Sequence, residues 1–224
     1  MGSILVSARS LSEYAAMFGL SPEDLERSLL DCPGGAASFA AEVRWGGGRV
    51  VSVDPAYRLG KSELAARARA DVERGTRYVV DHAENYEWGF FASVSHHRAG
   101  RQEAADRFLD DFDAHSAAYV AAALPWLPFR DRSFDLVLSS HLLFTYADRL
   151  SLDFHVTAIE ELVRVSRDGV RIFPIVDFAG GGYDGLEALR RRLAAAGVLS
   201  EVRPVGYRFQ PGATEMLVAY GTTT

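Results

Sequence analysis

Three side chains in this sequence combine a reactive group with a setting in which it could act on a ligand: Asp31, Asp54 and His141. The apolar pair Leu29-Leu30 stops at Asp31, and Cys32-Pro33-Gly34-Gly35 turns the chain before a helical pattern begins near Ala37. Roughly 20 residues later a second apolar run, Val50 to Val53, again stops at an acid, Asp54. Where a buried strand hands over to a helix, the first helical N–H groups lack partners and carry partial positive charge, and glycine lets the backbone approach a ligand. The turn is therefore a cradle for a polar group, and a carboxylate at position 54 is placed to accept hydrogen bonds from both hydroxyls of a ribose. His141 follows a third apolar run that ends in Ser139-Ser140. An imidazole there titrates near neutrality and suits proton transfer, with a satisfied structural histidine as the alternative reading.

These residues need strands that end side by side and helices that return the chain. The order strand, turn, helix, strand around Asp31 and Asp54 is that of a nucleoside-binding α/β domain. Before it, Leu11, Tyr14, Ala15 and Phe18 recur at helical spacing between Ser10 and Gly19, and Ser21-Pro22-Glu23-Asp24 opens a second short helix. After it come further strands at Tyr119 to Ala122, within Asp131 to Phe144 after a turn, and at Val170 to Ile175. Helices are expected over Asp153 to Val165 and Gly185 to Ala196, and a closing pair of strands over Ser200 to Val205 and Glu215 to Tyr220 around Gln210-Pro211-Gly212. Residues 61–113 form an insertion after the second strand, with helices at Ser62 to Val72 and Glu103 to Phe112. Between them lies an aromatic segment holding Tyr78, Tyr86, Trp88, Phe90 and Phe91, suited to line a substrate site or to fill added core.

The 224 residues, 48% of them hydrophobic, suit one α/β domain. A net charge of -6 argues against a broad basic face for nucleic acid. A single cysteine rules out an internal disulfide and a cysteine zinc cluster, and His96-His97 lack partners at metal spacing, so no metal is expected. No apolar run reaches the length of a membrane span and no signal-peptide pattern opens the chain, which together give an expectation of a cytoplasmic protein. Abundant Ala, Arg and Gly with few Lys fit a GC-rich prokaryotic, bacterial coding sequence.

The glycine turn is neither a G-x-G-x-x-G dinucleotide loop nor a P-loop, because Ala36, Ala37 and Ser38 fill the later positions and no Gly-Lys-Ser/Thr follows. Asp31-Cys32-Pro33-Gly34-Gly35 does resemble the first motif of class I S-adenosylmethionine-dependent methyltransferases. Leu127-Pro128-Phe129 followed by Ser133-Phe134-Asp135-Leu136-Val137 is similar to the stretch between the third and fourth strands of many small-molecule members. The resemblance covers nearly the whole chain. It implies a Rossmann-like, mostly parallel seven-stranded sheet with an antiparallel C-terminal hairpin, S-adenosylmethionine as cofactor, and methyl transfer to a small molecule or peptide, as in biosynthesis.

On that resemblance Asp31, Cys32, Pro33, Gly34 and Gly35 take the methionine and ribose side, Asp54 and Pro55 the ribose, the backbone of Ala123 and Leu124 the adenine, and Ser139 the same crevice. Ala122 and Ala123 stand where the family often has an Asp for the adenine amino group, which leaves the adenine to backbone groups. His141 is the candidate general base, and Tyr146, Trp88 and Ser140 are candidates for substrate contact. Tyr57, after the second strand, could flank an adenine ring or pack at the loop base. Two other functions stay open from the sequence. One is a protein that binds the cofactor for displacement or elimination chemistry; the other is a catalytically silent partner subunit. Partners expected are the substrate and, in either a homo-oligomer or a mixed assembly, other chains, with no nucleic acid and no membrane.

Overall fold

A computed structural model describes residues 4–222. Seven strands form one sheet: β1 (Ser28–Asp31), β2 (Arg49–Val53), β3 (Tyr119–Val120), β4 (Leu136–Ser140), β5 (Val170–Phe173), β6 (Val198–Pro204) and β7 (Glu215–Gly221). Their order across the sheet is β3-β2-β1-β4-β5-β7-β6. The first five run parallel, and β7 inserts antiparallel between β5 and β6. The sheet is the Rossmann-like, mostly parallel one with an antiparallel C-terminal pair that the sequence led us to expect. The register sets Asp31 beside Ser52 of β2 and Leu138 of β4, so the acid stands at the carboxyl edge where the strand order reverses.

Among the described residues seven α-helices accompany the sheet: α1 (Leu11–Phe18), α2 (Pro22–Leu25), α3 (Phe39–Trp45), α4 (Lys61–Asp81), α5 (Val94–Ala114), α6 (Leu152–Val165) and α7 (Leu186–Ala195). Strand residues alternate between the two faces, as the pleat requires. Leu29, Leu138 and Phe173 join Tyr14, Phe18 and Phe39 on one side. Leu30, Val137 and Ile172 join Ile159, Leu162 and Leu193 on the other. A third cluster, in which Tyr57 and Tyr119 meet Leu64, Ala68, Val72 and Phe108, seats α4 and α5 against the β2–β3 edge. Complete burial of a ring such as Phe108 contributes about 1.5–3 kcal/mol.

Local signals account for most boundaries. Ser10 and Glu13 close a reciprocal capping box on α1, Gly19 ends it in the left-handed conformation, and Ser21 and Asp24 repeat the box on α2. Several boundaries differ from the sequence reading. The helix α3 begins at Phe39 rather than Ala37, because the N–H groups of Ala36 and Ser38 are bound to the carbonyls of Ser7 and Arg9 instead of lying inside a helix. The insertion helices are longer than their apolar stripes suggested, α4 running on through Tyr78 and Val79 and α5 starting at Val94, where Ser93 caps it through the His96 N–H. The strand β3 stops after Val120, and β5 stops at Phe173 because Pro174 has no N–H to give a ladder.

Candidate active site

At the β1–β2 edge two carboxyl groups face the glycine turn. Asp31 is wholly buried: its Oδ1 accepts a hydrogen bond from the Tyr14 hydroxyl at 3.0 Å, and its Oδ2 is sealed from solvent with no partner. Burial pushes its pKa well above the ordinary carboxylate range, and burial together with the neighbouring Asp31 pushes the Tyr14 hydroxyl up as well. Asp54 accepts from the Gly35 N–H at 3.1 Å and the Ala56 N–H at 2.8 Å. Burial raises its pKa and these two backbone donors oppose the rise. Cys32 is a buried free thiol whose pKa burial drives well up.

The turn admits only glycine at two positions. A Cβ on Gly34 would stand 2.6 Å from the Tyr57 hydroxyl and 2.9 Å from the Ser52 Cβ; Gly35 has φ of 54° and would bring a Cβ to 2.8 Å from the Ser7 carbonyl. Tyr57 does not present a free face for an adenine ring. It packs against Phe108 and Tyr119 at the loop base, and its hydroxyl donates to the Gly35 carbonyl at 2.9 Å. Pro55, itself exposed, opens a 3-10 turn, and Ala123 and Leu124 lie past the end of β3, with Ala123 exposed and bridged to Trp126.

At the end of β4 the chain changes conformation abruptly. His141 has φ of 51°, a left-handed backbone uncommon outside glycine and frequent at functional sites. Its N–H donates to the Phe173 carbonyl at 2.7 Å, and its Nδ1 lies 2.8 Å from the Ser140 hydroxyl. Burial, and then the positive charges of Arg9 and Arg101, hold its pKa well below the usual value, so the ring is neutral at neutral pH. The hydroxyl of Ser139 is buried without a partner.

His141 opens onto a cavity of about 110 Å³, several times the room that one ordered water needs. Its walls come from seven places: the N-terminal strap through Arg9, α4 near Thr76, the α4–α5 connection at Tyr86, α5 at His97 and Arg101, the turn after β4 at Thr145 and Tyr146, the loop after β5 at Phe178, and the loop between β6 and β7 at Tyr207. Of the residues expected from sequence, His141 and Tyr146 line it, the latter accepting the Leu5 N–H at 3.1 Å. Ser139, Ser140, Asp31, Gly34 and Asp54 lie outside its wall. Trp88 also does not reach it; its Nε1 donates to the Ala83 carbonyl, and it packs on Tyr86 and Phe209, two rings that do line it.

Arg9, Arg101, His97 and Tyr207 were missed. Arg101 donates to the Ala8 carbonyl at 2.8 Å, to Glu13 at 2.5 Å and to His97 Nε2 at 3.1 Å, while the Tyr207 hydroxyl donates to the other Glu13 oxygen at 3.0 Å. His97 is thereby held as a neutral ring, its pKa pushed down to about 2 by burial and by Arg101. One signal was available: His97 and Arg101 fall at i and i+4 on the same stripe as Ala105 and Phe108, polar residues in apolar register.

The family model described as "Methyltransferase domain" matches residues 92–173, from the start of α5 to the end of β5. The stretch from α5 to β5 is thus similar to a methyltransferase domain. It is 27% identical over 211 residues to the uncharacterised protein MJ0045 of Methanocaldococcus jannaschii, across 94% of this chain and 93% of that one. It is similar in fold to the mitomycin 7-O-methyltransferase, with a TM-score of 0.50 and 13% identity, across 95% of this chain and 54% of that one, so it spans about half the length of that structure.

The donor set at the β1–β2 edge fits in kind the S-adenosylmethionine that the sequence resemblance implies. The orphaned Asp31 Oδ2 offers an acceptor, Asp54 a second carboxylate, and Gly34 and Gly35 an approach without side chains. In the conformation described, the same turn is covered by the chain itself. Ser7 and Arg9 hold the N–H groups of Ala36 and Ser38, and the Tyr57 hydroxyl sits over Gly34. Among the described residues no helix is long and apolar enough to cross a membrane.

Proposed function

We propose that the protein is an enzyme that transfers a methyl group from S-adenosylmethionine to a hydroxyl or amine of a small molecule. The observation that carries this reading is the cavity at the carboxyl end of β4, onto which the strained His141 opens. S-adenosylmethionine brings a methyl group already activated by its sulfonium, so the protein has chiefly to align the acceptor and keep water out. Asp31 and the glycine turn would hold the methionine side and Asp54 the ribose hydroxyls. The neutral His141 ring, anchored through Ser140, takes the proton that the acceptor loses. The strap, α4 and α5 supply the cover, and the modest volume favours a small molecule over a peptide.

The test is calorimetric titration with S-adenosylmethionine and S-adenosylhomocysteine, in wild type and Asp54→Ala, with thermal melting to check that the variant is folded. Micromolar binding that Asp54→Ala weakens about tenfold, the worth of one charge-assisted hydrogen bond, is the expected result. Absence of binding of both compounds to wild type overturns the reading.

A further inference from the structure

We propose that the cavity recognises a carboxylate on the methyl acceptor and that Arg9 is the residue that binds it. Arg9 is the cationic group left over when the ion pairs around the cavity are assigned. Arg101 is paired with Glu13, and Asp71 is paired with both Arg67 and Arg74. Arg9 forms no ion pair among the described residues. One of its terminal nitrogens donates to the Ser7 hydroxyl at 2.6 Å, and its Nε is buried with no partner. A guanidinium in that state awaits an anion, and its planar fork matches a carboxylate.

The remaining unpartnered atoms point the same way. Three other side-chain atoms in the cavity wall are buried without a hydrogen bond: Thr76 Oγ1, Thr145 Oγ1 and His97 Nδ1. Both hydroxyls can donate. His97 Nδ1 carries the ring proton, because Nε2 accepts from Arg101. With Arg9 Nε, every orphan in this wall is a potential donor, and a carboxylate is a ligand with acceptors only. Buried polar atoms are rarely left unpaired, so four of them around one cavity describe the ligand that completes it. The rest of the wall includes Tyr78, Tyr86, Phe178 and Phe209, which suits a planar, apolar body behind the carboxylate. That the ligand is the methyl acceptor rests on the function proposed above; the carboxylate preference does not.

A carboxylate could also come from the methionine part of the cofactor, and the experiment separates the two. Benzoate and indoleacetate, each against its uncharged amide, are titrated into the full chain by ligand-observed NMR, alongside S-adenosylhomocysteine and methylthioadenosine, which lacks the amino acid. Wild type is expected to bind at least one carboxylate about tenfold or more tightly than its amide. Arg9→Gln loses that preference, Thr145→Val reduces it while keeping the shape, and S-adenosylhomocysteine affinity stays unchanged in both. Equal affinity for acids and amides, or no binding of either acid, overturns the proposal. So does an Arg9→Gln variant, folded by thermal melting, that weakens S-adenosylhomocysteine and spares methylthioadenosine. Homocysteine-compound binding without carboxylate preference removes this inference alone, whereas carboxylate preference without binding of that compound removes the methyltransferase reading alone.

Discussion

Glu13 holds three parts of the molecule together, and Glu13→Gln is the substitution that exposes the cost of separating them. Its carboxylate is 2% exposed and accepts from Arg101 at 2.5 Å, from Tyr207 at 3.0 Å and from the Ser10 N–H at 3.2 Å. Those bonds join α1 to the insertion helix α5 and to the loop between β6 and β7. Glutamine keeps the shape, removes the charge, and turns one acceptor into a donor that faces the Arg101 guanidinium or the Tyr207 hydroxyl. Arg101, itself 9% exposed, is then a buried cation with no counter-charge. Breaking a buried pair from one side costs about 3–5 kcal/mol. For a chain of this length each kcal/mol moves the melting temperature by about 2–4 °C, giving a fall of about 6–20 °C. The assay is urea unfolding and thermal melting of Glu13→Gln, Arg101→Met and the double variant. The double variant should lose clearly less than the sum, because removing both charges leaves neither stranded. A Glu13→Gln loss under about 1 kcal/mol, or strict additivity, would refute the assignment of this pair as a buried tie.

Three further outcomes follow from other sites. Gly34→Ala should destabilise by about 1–3 kcal/mol in urea titrations through its clash with the Tyr57 hydroxyl. Adding Tyr57→Phe should return only part of that, since the Ser52 Cβ remains 2.9 Å away. For His97 the folded pKa of about 2 lies below the unfolded value of 6.5, so between them the unfolded chain binds the extra proton. Stability from this group is therefore complete above pH 6.5 and falls by about 1.4 kcal/mol for each pH unit below it. Unfolding of wild type and His97→Gln across mildly acidic to neutral pH should diverge by that slope, and parallel curves would contradict it. Cys32, buried with its pKa raised, should resist a thiol-disulfide reagent in the native protein and react at once in denaturant.

The parts of this fold that were legible from sequence are those fixed by neighbours along the chain. Apolar runs that stop at an acid identified the strands ending at Asp31 and Val53, helical spacing and serine caps identified α1 and α2, and Gln210-Pro211-Gly212 identified the closing antiparallel pair. The lengths of α4 and α5 were less legible, because much of each helix is polar and its burial depends on what the topology lays against it. Tyr57 was ambiguous for a related reason: an aromatic residue after a strand reads alike whether it flanks a ligand or fills a loop base, and only α5 packing onto it decides.

The candidate ligand cavity was the least legible feature, since Arg9, Thr76, His97 and Thr145 come from four separated segments and each is unremarkable in its own window. What makes them a set is a chain of contacts that also stabilises the fold. Arg101 grips the Ala8 carbonyl and Glu13 at once, the Arg9 carbonyl takes the Ser38 N–H, and the Ser7 carbonyl takes the Ala36 N–H. The strap carrying Arg9 is thus held by the insertion helix through Ala8 and by the segment of the glycine turn through Ser7 and Arg9 on either side of it. The position of its guanidinium is a consequence of the same buried pair that ties α1 to α5. Weakening that pair by Glu13→Gln should therefore reduce carboxylate retention even under conditions where the variant is fully folded. A variant that lost stability but kept unaltered carboxylate binding would show that the strap is positioned by the glycine turn alone.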